Sequence, residues 1–219
     1  MKRMRPVLKL KQKIKVQDVV DLLKQHYPEA HCELDYSNSF ELVVATILSA
    51  QCTDKRVNQV TPALFAHFPT PLALSKGSQE EVEELVRSTG FYKNKAKNLI
   101  ACSQMLVDHF KGEVPRTIEE LTTLAGVGRK TANVVLGNAY GINAGIVVDT
   151  HVARLSQRLG WTRALAPLQI ELDLQKIINF EDWILISHLL IWHGRRVCRA
   201  RNPNCDSCFL FDRCPKKTV

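Results

Sequence analysis

The sequence predicts an all-α protein, and three observations carry that prediction. Apolar residues recur at helical spacing along nearly the whole chain. Strand-like alternation is confined to residues 145–148, too short to define a sheet. Capping patterns and glycine stops divide the helical stretches from one another. The glycine-bearing segment 141–145 reads as a hinge, giving a central helical domain over 32–143 and a second domain from 1–31 plus 144–219.

Taken in order, Phe40, Val43, Val44, Ile47 and Leu48 fall on one buried helix face. Ser78 and Glu81 form a capping-box pattern ahead of Val82, Leu85 and Val86, with Gly90 as the stop. Leu99, Cys102, Leu106 and Phe110 make the next stripe. Thr117 and Glu120 repeat the capping pattern and open a short helix carrying Ile118, Leu121 and Leu124. After a turn at Gly126 and Gly128, a helix runs through Val134, Val135 and Leu136 to about Gly141. Asp149 is placed to cap a helix bearing Val152 and Leu155. Two more follow, over about 168–178 and 181–193, and Gly194 is expected to end the last.

The net charge is +8, and it is uneven. Seven basic residues lie within 1–16, and seven more (Arg195, Arg196, Arg199, Arg201, Arg213, Lys216, Lys217) face only Asp206 and Asp212 near the C-terminus. Glu80, Glu81, Glu83 and Glu84 form an acidic face. This asymmetry suits a polyanion, although a soluble basic surface has the same composition. No apolar run is long enough for a membrane span, and residues 1–16 lack the apolar core of a secretory signal. A cytoplasmic protein is expected, with a basic organellar presequence as the alternative. No exposed apolar seam is evident, so the expected state is a monomer.

The segment Leu124-Ala125-Gly126-Val127-Gly128-Arg129-Lys130-Thr131-Ala132-Asn133 carries the strongest chemical signal. Gly126 and Gly128 permit positive φ and close approach of the backbone to another molecule. Their N–H groups, with the positive end of the next helix, make an anion site suited to a DNA phosphate. A lone Gly-x-Gly is usually a plain turn; the longer pattern is far more specific. Lys130 sits in the first turn behind it. There the helix dipole opposes an added positive charge, and partial burial would act in the same direction, favouring a neutral amine nucleophile. The bland alternative is a lysine that meets phosphate or solvent. Asp149 follows nineteen residues later. It reads either as a helix cap or as a carboxylate that stabilises a sugar cation or takes a proton.

Seven cysteines, an odd number, argue against a disulfide framework in a chain without a secretion signal. Cys198, Cys205, Cys208 and Cys214 are separated by six, two and five residues. Four thiolates in so short a stretch can wrap one compact centre, structural zinc or an iron–sulfur cluster. Such a centre would hold the loop bearing Arg199 and Arg201 in place. Cys32, Cys52 and Cys102 read as ordinary small core residues.

These features together resemble the endonuclease III family, bifunctional DNA glycosylases of the helix-hairpin-helix superfamily. The likeness extends from about residue 18 to residue 215. It rests on Ile47-Leu48-Ser49-Ala50-Gln51-Cys52-Thr53-Asp54, on the 124–133 hairpin, on Val148-Asp149-Thr150-His151-Val152, and on His193-Gly194-Arg195 leading into the cysteines. The resemblance implies a two-domain helix-hairpin-helix glycosylase fold with a C-terminal iron–sulfur loop, and assigns the four cysteines to a [4Fe–4S] cluster. It implies double-stranded DNA with damaged pyrimidines or abasic sites as partner. Lys130 would be the Schiff-base nucleophile and Asp149 the activating carboxylate. Gln51 would fill the space left by an extruded nucleotide and Phe91 would wedge into the opposite strand. Gly126, Gly128, Arg129, His151, Arg199 and Arg201 complete the expected DNA contacts. Three positions depart from the family pattern. Ala125 replaces a usual proline, Phe91 a frequent leucine and Arg196 a frequent tyrosine, the last offering a phosphate contact. Adenine-specific glycosylases of the superfamily resemble this chain without a lysine at position 130. A non-catalytic DNA-binding module would keep the hairpin and cysteines without needing both Lys130 and Asp149.

Overall fold

The computed structural model describes residues 15–215. The basic stretch within 1–14 and Lys216 and Lys217 lie outside them. Within the described residues the regular structure is helical: eleven α-helices and two short 3₁₀ turns. The first three helices are α1 (Val16–His26), α2 (Ser39–Leu48) and α3 (Asp54–His67), followed by α4 (Pro71–Ser75) and α5 (Gln79–Val86). Next come α6 (Tyr92–Phe110), α7 (Ile118–Leu121) and α8 (Arg129–Tyr140). The chain closes with α9 (Thr150–Arg158), α10 (Pro167–Gln175) and α11 (Trp183–Arg196). The sequence patterns single out neither α1 nor α3 nor α4.

Local chemistry sets the boundaries. Ser78 and Glu81 form a complete reciprocal capping box on α5. That helix tightens into a 3₁₀ turn, Arg87–Thr89, before Gly90 turns the chain at φ 72°. At α7 only half of the expected box forms. Thr117 accepts from the Glu120 N–H, while the Glu120 carboxylate takes the Thr117 hydroxyl instead of a backbone N–H. The α-helix then spans four residues, and Leu124 is buried beyond its end. Gly141 caps α8 in the left-handed region, φ 65°.

Gly194 does not end its helix. It lies inside α11, which continues to Arg196. Its missing side chain has another purpose, since a Cβ there would stand 2.7 Å from His151 Nδ1 and 3.0 Å from Arg154 Nη2. The glycine permits close packing of α9 on α11.

Two apolar clusters form the interior. One draws on α2 to α8 and includes Leu42, Leu48, Leu64, Leu99, Leu106 and Leu136. The other draws on α1, α9, α10 and α11, with Val20, Leu23, Leu155, Ile170, Leu189 and Leu210. The extended segment after α8 passes between them: Val147 packs in the first cluster, Ile146 and Val148 in the second. Asp149 follows at the seam. No helix among the described residues is long and apolar enough to cross a membrane.

Candidate active site and cluster loop

The hairpin turn needs only one of its glycines for conformation. Gly126 adopts φ 78° and packs its bare Cα side against Asn98 of α6. Gly128 has φ −96°, which any residue can adopt, and serves as the N-cap of α8. The expectation of positive φ therefore holds for Gly126 and fails for Gly128, where the open surroundings leave the helix N-terminus accessible.

Lys130 occupies the second position of α8 and is exposed. The partial burial expected from sequence is absent in the protein alone. Any desolvation of its amine must come from whatever covers the site. Asp149 is half-buried, and its Oδ1 accepts from the N–H groups of His151 and Val152 at 2.8 Å each, a full N-cap for α9. The cap and the site are compatible, because the same carboxylate and Lys130 line one narrow cleft of about 80 Å³. Thr46, Ser49, Val134, His188 and Trp192 line it too. His188 donates its Nε2–H to Asn138 Oδ1 at 2.9 Å, and burial pushes its pKa down to about 4.

An open groove of about 1060 Å³ continues from the cleft past Cys52, Asp54, Asn58, His151, Arg195 and Arg196. His151, in the first turn of α9, meets Arg154 Nη2 through Nδ1 at 3.1 Å, and burial lowers its proton affinity. Arg195 joins Glu33 and Asp54 in one ion-pair network spanning three separate segments. Arg196 lies over the Trp192 ring, 3.9 Å from its centroid, with Glu33 at 3.5 Å. Its guanidinium face is stacked on the protein, which makes it a packed cation at the groove edge.

Gln51 and Phe91 stand at the tips of two neighbouring turns, after α2 and before α6. Both are exposed, Phe91 at 65%, and both adopt left-handed backbone, φ 52° and φ 50°. Non-glycine residues in that region are strained by roughly 1 kcal/mol or more, and such strain concentrates at functional positions. Arg129, expected at a phosphate, also has a partner inside the protein. Its Nε and Nη2 make a bidentate pair with the buried Glu171 of α10 at 2.8 and 3.0 Å, and Asn133 Nδ2 adds a bond to Glu171 at 3.1 Å. The pair ties the two apolar clusters together.

The four cysteines near the C-terminus line one cavity of about 300 Å³, walled by Leu155, Leu159, His193, Val197 and Leu210. No group of three or more His, Cys, Asp or Glu side chains among the described residues gathers at a single-ion spacing. Thiols arranged around a chamber of that size suit a multi-iron cluster, whose sulfurs stand apart around a metal core. Two arginines of α9 hold the loop. Arg158 donates to the Arg199 carbonyl at 2.7 Å and the Ala200 carbonyl at 3.0 Å, and Arg154 donates to the Cys198 carbonyl at 3.0 Å. Arg199 and Arg201 are thereby displayed to solvent. The only sequence signal of these clamps is that His151, Arg154 and Arg158 fall on one helical stripe.

Comparison with known proteins agrees with this architecture. Residues 44–180 match the HhH-GPD superfamily of base excision DNA repair proteins, and residues 198–214 match the iron–sulfur binding domain of endonuclease III. The chain is 56% identical to endonuclease III of Synechocystis over 90% of each chain. It is 45% identical to that of Bacillus subtilis, over 95% of this chain and 94% of the relative. The chain belongs to the endonuclease III family. A solved trapped endonuclease III–DNA covalent intermediate superposes with a TM-score of 0.89 at 45% identity, covering 95% of this chain and 97% of that one. A non-covalent endonuclease III–DNA complex superposes equally well, with the same identity and coverage. A thermostable thymine-DNA glycosylase, 18% identical with a TM-score of 0.81, shares the fold. The cofactor of the family domain is an iron–sulfur centre, and Cys198 and Cys214 bound the matched segment.

Proposed function

We propose that this protein is a base-excision repair enzyme that removes oxidised pyrimidines from duplex DNA and cleaves the backbone at the resulting abasic site. The observation that carries the reading is the shared cleft of Lys130 and Asp149, behind a hairpin whose helix N-terminus is open. The covalent character of the trapped endonuclease III–DNA intermediate supports an amine nucleophile.

The chain's own groups account for each step. Backbone N–H groups at Gly126–Gly128 and the N-terminus of α8 take a phosphate. The damaged nucleotide leaves the stack, at a cost of a few kcal/mol that a lesion lowers. Gln51 fills the space it vacates and Phe91 enters from the opposite strand. The neutral amine of Lys130 forms a bond to C1′ as the C1′–N bond to the base breaks and the base leaves with that electron pair. Asp149 stabilises positive charge on the sugar and accepts the amine proton. Ring opening gives an imine, which acidifies a C2′ hydrogen. Loss of that proton expels the 3′ phosphate oxygen and cleaves the strand by β-elimination.

Cys198, Cys205, Cys208 and Cys214 hold a [4Fe–4S] cluster in this reading. It acts as a structural pin, keeping Arg199 and Arg201 where phosphates pass; the amine chemistry requires no redox step. The described residues act as two helical domains, 32–143 and 15–31 with 144–215, meeting at the cleft, in a monomer. Borohydride should trap the protein covalently on DNA carrying thymine glycol, and Lys130→Ala should abolish trapping. Undiminished trapping by Lys130→Ala, or none by the intact protein, overturns the mechanism.

A further inference from the structure

Three lysines sit close together at the start of α6, and they have different fates. Lys93 and Lys97 are exposed, whereas Lys95 is only 5% exposed. Its ammonium meets no carboxylate. It donates instead to two backbone carbonyls, Leu48 and Thr89, each at 2.8 Å. Burying a cation against neutral acceptors is unfavourable unless its hydrogen bonds are well made, and here desolvation does lower its proton affinity.

The two acceptors are informative. Leu48 is the last residue of α2, so its carbonyl lacks a partner within the helix. Thr89 ends the 3₁₀ turn and is itself buried. Three residues beyond Leu48 stands Gln51, and two beyond Thr89 stands Phe91, both exposed and both in left-handed backbone. The backbone N–H of Lys95 also donates to the Phe91 carbonyl at 3.1 Å. One side chain therefore grips both strained turns from beneath, at the Leu48 and Thr89 carbonyls, which the helices leave unsatisfied, while its own N–H makes the first bond of α6 to Phe91.

We infer that Lys95 is a positioning residue that sets the separation of Gln51 and Phe91, so that both side chains enter the duplex together around an extruded nucleotide. The inference rests on the insertion roles proposed above for those two residues. Lys95 touches neither DNA nor the reacting atoms. Its contribution should appear only when a base must be pulled out of a paired stack, and should vanish when the lesion is already unpaired.

The test uses the full chain with its cluster intact and thymine glycol in two settings, a fully paired duplex and an unpaired bubble. Lys95→Met retains length and burial while removing the donors. Its single-turnover trapping on the paired lesion should fall by about tenfold or more, the scale on which misplaced positioning groups act. Trapping on the bubble should stay within about threefold, and 2-aminopurine beside the paired lesion should report less unstacking. In a Gln51→Ala/Phe91→Ala background, Lys95→Met should cost little further, because coupled residues are non-additive. Should Lys95→Met fail to fold, Lys95→Gln, which keeps a donor, decides the matter by a smaller loss confined to the paired lesion. Equal losses on both substrates would reduce Lys95 to a stabiliser of the fold and overturn the inference. So would unchanged trapping on the paired lesion. If Gln51→Ala and Phe91→Ala themselves leave the paired lesion unaffected, the insertion roles fall first, and this inference with them. If those two impair it and Lys95→Met does not, only this inference fails.

Discussion

Removing Glu171 tests how the two halves of the molecule are joined behind the nucleophile. Its carboxylate is 4% exposed and accepts two bonds from Arg129, the neighbour of Lys130, and one from Asn133. Breaking a fully buried ion pair from one side costs about 3–5 kcal/mol. Arg129 is 41% exposed and can rehydrate, which removes much of that cost. Asn133 is buried and its Oδ1 already lacks a partner, so losing the Nδ2 acceptor adds about 1 kcal/mol or more. Glu171→Ala should therefore destabilise by about 2–3 kcal/mol, lowering Tm by roughly 4–12 °C at this chain length.

Gly145 sharpens the test. A Cβ added there would overlap Glu171 Oε1 and stand 2.8 Å from Asn133 Nδ2. Its φ lies outside the left-handed region, so the backbone tolerates alanine, and the penalty is the displaced carboxylate. Gly145→Ala alone should cost about 3 kcal/mol. In the double variant the carboxylate is gone and the Asn133 amide is free to turn. The two changes should then couple favourably by about 2 kcal/mol in a double-mutant cycle read by denaturant unfolding. Visible absorption should show the iron–sulfur centre retained in each variant. Additivity within about 0.5 kcal/mol would refute the packing argument.

Other consequences are as direct. Asp149→Asn preserves a good N-cap, so stability should stay within about 0.5 kcal/mol while base excision falls by about 100-fold to 10,000-fold; equal activity would leave the aspartate as a cap alone. His188 has its pKa depressed to about 4 by burial, with His31 adding to the effect and Glu33 opposing it. The unfolded chain takes up that proton near pH 6.5 and the native state does not. Stability is therefore whole above about pH 6.5 and declines by about 3 kcal/mol as pH falls to 4. His188→Gln should flatten that slope, measurable by unfolding at a series of pH values. Arg158→Met releases the Arg199 and Ala200 carbonyls. Affinity for undamaged duplex should drop, and the slope of log affinity against log salt should lessen by about one; an unchanged slope would detach the loop from phosphate binding.

Most of the helices, though not α1, α3 or α4, were legible in the sequence, as were the hairpin, the capped start at Asp149 and the grouping of four cysteines, because each is set by residues close to one another along the chain. A capping box or a Gly-x-Gly turn carries its partners with it along the chain. The errors have the same explanation in reverse. Gly194 reads as a helix stop until α9 is packed against it, and Gly128 reads as a positive-φ turn until its neighbour Gly126 is seen to take that conformation alone. Arg129, expected at a phosphate, also pairs with a carboxylate forty-two residues away, a partner its sequence neighbourhood does not show. The Lys95 grip on two carbonyls leaves no periodic mark at all, since backbone oxygens are present at every residue. Sequence alone determined which chemistry this protein can perform, through the types and local spacing of Lys130, Asp149 and the cysteines. Tertiary structure alone decided that the lysine and aspartate share a cleft, which cations are committed to internal partners, and which stay open to solvent. Those outcomes depend on desolvated pairings between distant segments, and their energies do not exist until the helices close on one another.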